Sequence, residues 1–118
     1  MNCWLRALLI LLLFVLMACK SDKPGDLIFN EDKLIDLMID IQLAKAAVYK
    51  YPVEERDSIN DVYYDQIFSI HKITKYELEH DISRIEKFPK YYKVLLEKVS
   101  IELKVLSRNK DLEEKDDN

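Results

Sequence analysis

One glycine and three prolines are all the strong backbone breakers in 118 residues. Gly25 follows Pro24, and Pro52 and Pro89 divide the remainder into long uninterrupted stretches. A sheet needs frequent turns, and turns draw heavily on Gly and Pro. No segment alternates Val, Ile and Thr with polar residues in the manner of a strand. Apolar residues instead recur three and four positions apart, which is the period of one helix face. The sequence therefore predicts an all-α fold: a small antiparallel bundle of three to four helices.

The first 18 residues follow a different rule. Trp4 to Ala18 is almost purely apolar, with Arg6 as the one charge near its start. About 15 residues at ~1.5 Å rise reach roughly 22 Å. A bilayer core is ~30 Å thick and needs ~20 residues. The run is too short to span a membrane and has the right length for the apolar region of an export signal. It ends in Leu16-Met17-Ala18-Cys19, and polar chain follows at once. A small residue before a cysteine at this place resembles the lipobox of bacterial lipoproteins, although Met17 is bulkier than the Ala or Ser usual there. That resemblance implies cleavage before Cys19 and a covalent diacylglycerol and acyl (palmitate-type) lipid on its thiol. Buried acyl chains contribute ~0.8 kcal/mol per CH₂, so two or three of them make a lasting membrane anchor. Cys3 would leave with the signal and Cys19 would carry lipid, so no disulfide is expected.

The expected organisation is a signal peptide at 1–18 (lipobox 16–19), a lipid-anchored tether at 19–26, a helical domain at 27–108 and a disordered acidic tail at 109–118. Loss of Arg6 with the signal would leave 17 basic against 22 acidic side chains, a net charge of −5. An acidic exported domain does not suit nucleic acid or anionic headgroups. Lys20 follows the cysteine where an inner-membrane retention signal would have Asp, so the outer membrane, facing the periplasm, is the expected location.

Within the domain, Asn30 is placed to cap the first helix, with Glu31 and Asp32 at its positive end and a Phe29–Leu34 staple across the cap. Leu34, Met38, Ile41, Ala44 and Val48 form its stripe, widened by Ile35, Ile39, Leu43 and Ala46. Asp57 or Ser58 is expected to cap a second helix ending near His71, with Ile59, Val62, Tyr63, Ile67 and Ile70 inward. Thr74 and Glu77 fit a capping box opening a third helix with Leu78, Ile82 and Ile85 on its inner side. Pro89 suits the first position of a last helix. Its seam is Tyr92, Leu95, Leu96, Val99, Leu103 and Leu106, to about Arg108.

Three segments together resemble an uncharacterised lipoprotein family of the Bacteroidota, the domain of unknown function 4296. They are Leu37-Met38-Ile39-Asp40-Ile41-Gln42-Leu43-Ala44-Lys45-Ala46, then Tyr64-Asp65-Gln66-Ile67-Phe68 with His71-Lys72-Ile73-Thr74, then Pro89-Lys90-Tyr91-Tyr92 with Val99 further along. Where that family often has glycine before the Ile-Thr pair, this chain has Lys72. The resemblance spans about 27–106, implies a small helical lipoprotein, and brings no activity with it.

Candidate chemistry is sparse. His71 lies where an imidazolium would complement a helix C-terminus, and His80 has Glu77 and Arg84 within a turn on a charged face. Neither HExxH nor a second mature cysteine is present, so no metal site is expected. Asp36 and Asp40 share a helix face, Asp40 at the edge of the core, but nothing nearby resembles a nucleophile or an oxyanion hole. The serines lack a GxSxG elbow. No catalytic residue, cofactor or enzymatic activity is expected. Seven tyrosines are the notable remainder. Tyr63-Tyr64 and Tyr91-Tyr92 each place one ring inward and one outward, so all four are candidate interface residues. The expectation is an accessory or scaffold lipoprotein binding a protein partner at the membrane. The alternatives are a periplasmic chaperone-like module binding client peptides, and an enzyme or ligand-binding protein. A pocket formed by Asp40, His71 or His80 would favour the last.

Overall fold

The computed structural model describes residues 2–16 and 22–116. Among the described residues, five α-helices run in the order α1 (Asn2–Leu16), α2 (Glu31–Val48), α3 (Arg56–His71), α4 (Lys75–Ile85) and α5 (Pro89–Asp116), with a 3₁₀ turn at Val53–Glu55 before α3. The fold is all-α. The apolar side chains of α1 are exposed from Trp4 through Leu13. Among the described residues, no helix is long and apolar enough to cross a membrane. Cys19 and its neighbours lie outside the described residues.

The bundle is organised on α2, which is apolar on two sides. Leu34, Met38 and Ile39 pack with Ile85 of α4 and with Tyr91, Leu95 and Val99 of α5. Leu37 and Ala44 turn the other way, onto Ile67 of α3 and Leu78 of α4. Leu34, Leu37, Ile85 and Leu95 are completely enclosed. Each contributes about 1.5–3 kcal/mol of burial relative to exposure.

The helix ends are set by local chemistry. Asn30 caps α2 by accepting the Lys33 N–H at 2.8 Å. The α4 capping box is reciprocal: Thr74 Oγ1 accepts the Glu77 N–H at 3.2 Å, and Glu77 Oε2 accepts the Thr74 N–H at 2.7 Å. Pro89 opens α5, where its missing N–H would have been unpaired anyway. At the far end of α2, Arg56 donates to the Tyr51 and Tyr49 carbonyls at 3.0 and 3.2 Å. Its guanidinium also lies over the Tyr49 ring, 5.1 Å from the centroid.

The turn after α3 is a Schellman closure. The Ile73 N–H bonds to the Phe68 carbonyl and the Lys72 N–H to that of Ser69. Lys72 sits between them in the left-handed region at φ 53, ψ 48. Glycine takes this conformation without steric cost, whereas a side chain such as that of Lys72 is strained there.

Several expectations change. Neither Asp57 nor Ser58 caps α3. The 3₁₀ turn runs into the helix, and Glu55 holds the cap position without a side-chain bond. Val62, Ile70 and Leu106 are exposed rather than inward, because α3 and the distal part of α5 each bury only a narrow strip, and Leu43 of α2 is exposed as well. Residues 109–116, expected as disordered tail, continue α5 as helix. The described side chains beyond Leu103 are exposed as far as Leu112, so that extension is held by its backbone rather than by packing.

Candidate functional site

The most enclosed polar group among the described residues takes its partners from far along the chain. Asp81, in the middle of α4, has no exposed surface. Its Oδ1 accepts the Ile28 N–H and its Oδ2 the Phe29 N–H, each at 2.9 Å. The His80 Nδ1 lies 3.0 Å from Oδ1. Arg84 Nε donates to His80 Nε2 at 3.3 Å, so that nitrogen accepts and Nδ1 carries the proton given to Asp81. Arg84 also reaches Asp26, 3.8 Å away, whose backbone is left-handed at φ 57. The result is a latch. The segment entering α2 is strapped onto α4 by a carboxylate that takes both of its backbone donors.

A second imidazole is spent in the same way. His71, ending α3, lies 2.6 Å through Nε2 from Asp40 Oδ2 of α2. Lys33 has only donors and lies 3.0 Å from His71 Nδ1, so Nδ1 accepts and Nε2 donates to Asp40. Lys33 also donates to the His71 carbonyl at 3.3 Å. This ties α2 to the negative end of α3. In both rings the basic nitrogen is taken by a cation, and neither is left open to a metal or a reacting proton. Among the described residues, no group of three or more His, Cys, Asp and Glu could hold a metal ion.

The four tyrosines separate. Tyr91 is buried in the core. Its hydroxyl donates to Glu31 Oε2 at 3.4 Å. Burial pushes its ionisation above the usual phenol range, and the Glu31 carboxylate adds to the effect. Glu31 itself is held below the usual carboxylate range, chiefly by its bond from Lys98. Tyr92 is half-buried against the same cluster. Tyr63 is half-buried beside Tyr51, whose hydrogen bond raises its ionisation. Tyr64 differs from all three. It stands edge-on to Phe68, with centroids 5.9 Å apart, and borders two open clefts at once.

One cleft, about 490 Å³, lies between α3 and α4, and the other, about 420 Å³, between α2 and α4. They share Tyr64, Leu78 and Glu79. Phe68 of α3 lines the first, while Met38, Ile41 and Ile82 line the second. Asp40, His71 and His80 line neither.

The all-α bundle thus holds both histidines in internal hydrogen bonds and carries open clefts that meet at Tyr64. The chain belongs to the family described as domain of unknown function (DUF4296), whose pattern covers residues 24–109. The matched region opens just ahead of the segment that Asp81 holds and closes within α5. No curated protein and no solved structure matches the chain.

Proposed function

We infer that this chain is a non-enzymatic envelope lipoprotein whose bundle serves as an accessory or scaffold subunit for a protein partner. The single observation that carries the reading is Tyr64, a half-buried aromatic at the junction of two open clefts on an otherwise well-satisfied bundle. Among the described residues, every buried side-chain polar atom has a hydrogen-bond partner. That leaves the clefts, rather than a reactive group, as the feature available for function. The anchor is Cys19, acylated after removal of residues 1–18, and the location is the periplasmic face of the outer membrane. Support for the anchor comes from the short exposed apolar α1, which the LMAC sequence follows. Mild detergent extraction followed by affinity purification and size-exclusion chromatography tests the scaffold reading. A stoichiometric larger complex is the expected result, and a protein that always elutes alone as a monomer overturns it.

The apolar floor of the clefts also favours a second reading, a chaperone-like module. It predicts weak binding of many unrelated unfolded chains instead of one stable partner.

A further inference from the structure

We propose that the paired clefts around Tyr64 accept a segment of a partner protein carrying two apolar side chains bracketed by lysine or arginine. The inference rests on the scaffold reading above and specifies its docking site. Asp61, Tyr64, Asp65 and Phe68 occupy positions i, i+3, i+4 and i+7 of α3, which is one face of that helix. Across from them stand Leu78, Glu79 and Ile82 of α4 and Glu86 just after it. The floor is therefore apolar and aromatic, and the rim is charged. Four carboxylates, on Asp61, Asp65, Glu79 and Glu86, face two ammonium groups, on Lys45 and Lys75. Lys75 lies 3.7 Å from Glu79 and neutralises part of one carboxylate. The rim keeps an excess of negative charge that a basic segment would complement. A second copy of this chain, itself acidic, would bring charge of the same sign. Each cleft, at about 490 and 420 Å³, has room for a large apolar side chain and more, and Tyr64 stands at their junction. The occupant thus sets one anchor on each side of that ring, with its cations outside over the carboxylates.

The test uses the full chain in nonionic detergent and two fluorescein-labelled peptides read by anisotropy. One has two leucines flanked by lysines; the other has glutamates in place of the lysines. The lysine peptide should bind at least tenfold more tightly at low salt, and 0.5 M salt should remove most of the difference. Asp65 and Glu79 are both exposed. The double variant Asp65→Lys/Glu79→Lys should therefore keep the wild-type helical circular dichroism while reversing the peptide preference. Equal binding of both peptides, binding unaffected by the double variant, or no binding of either overturns the proposal. Equal binding would instead favour promiscuous apolar capture. A photo-crosslinking residue at position 64 or at the exposed position 70 separates this site from the broader reading. Protein crosslinks formed in cells from position 70 but never from 64 overturn the cleft and leave the scaffold role standing. Crosslinks from neither position remove both.

Discussion

Removing the Asp81 carboxylate should release the latch and threaten the whole bundle. In Asp81→Ala the Ile28 and Phe29 N–H groups and the His80 Nδ1–H all lose their acceptor. An abandoned buried donor costs about 1–3 kcal/mol. Ile28 is itself exposed, so its N–H is partly rehydrated and belongs at the low end. Phe29 is more enclosed and His80 partly so. Three donors at these levels sum to about 3–5 kcal/mol. For a domain of this size, whose stability is about 5–15 kcal/mol, that is a large share. It corresponds to a fall in Tm of roughly 15–30 °C. Asp81→Asn keeps one carbonyl acceptor but turns an amide donor toward another donor, and should cost about half as much. Thermal and urea unfolding followed at 222 nm give the totals. Hydrogen exchange gives the location: the Ile28 and Phe29 amides should lose protection more than those of α2 and α5. A loss below ~1 kcal/mol for Asp81→Ala, or unchanged exchange at those two amides, would refute the latch.

Other consequences are smaller. Lys72→Gly relieves a left-handed residue at a Schellman closure and should raise the urea midpoint by the equivalent of about 1 kcal/mol; a lowered midpoint would contradict the turn geometry. Because the Lys98 bond lowers the ionisation of Glu31 in the folded state, its contribution is complete above the ordinary glutamate range and is lost as pH falls through the folded-state value. Glu31→Gln should flatten that acidic limb by less than ~1 kcal/mol, the pair being partly exposed, as read from urea unfolding across the acid range. Deleting residues 109–118 should leave the unfolding free energy within about 0.5 kcal/mol of wild type, since the described side chains there are exposed; a larger fall would show that these residues pack against the bundle.

What the sequence discloses about this fold is mostly what its near neighbours decide. Asn30, the Thr74–Glu77 box and Pro89 act within one helical turn, and each is where its local pattern puts it. The all-α class follows from the scarcity of breakers. Asp81 escapes such reasoning because its partners are backbone groups 52 and 53 residues away. A signal did exist. Leu78, Asp81 and Ile85 stand at i, i+3 and i+7, so the carboxylate lies in the middle of the α4 apolar stripe. A charge in that position must be paired or bonded. His71 is similar: its place at a helix end is local, but the Asp40 and Lys33 that fix its tautomer come from another helix. Val62 and Ile70 fit the α3 period as well as Ile67 does. Only the side from which α2 approaches decides which of them is covered. Tyr64 and Tyr91 were equal candidates in sequence. The direction of α5 put Tyr91 inside, and the spacing of α3 and α4 left Tyr64 at the clefts.

The proposed membrane anchor depends on what becomes of Cys19. Intact-mass spectrometry of the protein extracted from membranes is the most direct measurement. The predicted species begins at Cys19 and is heavier than its polypeptide by a thioether-linked diacylglycerol and, where the amine is also modified, one more acyl chain. A polypeptide that still begins at Met1, or one that begins at Cys19 without lipid, would contradict the anchor and with it the membrane-held scaffold.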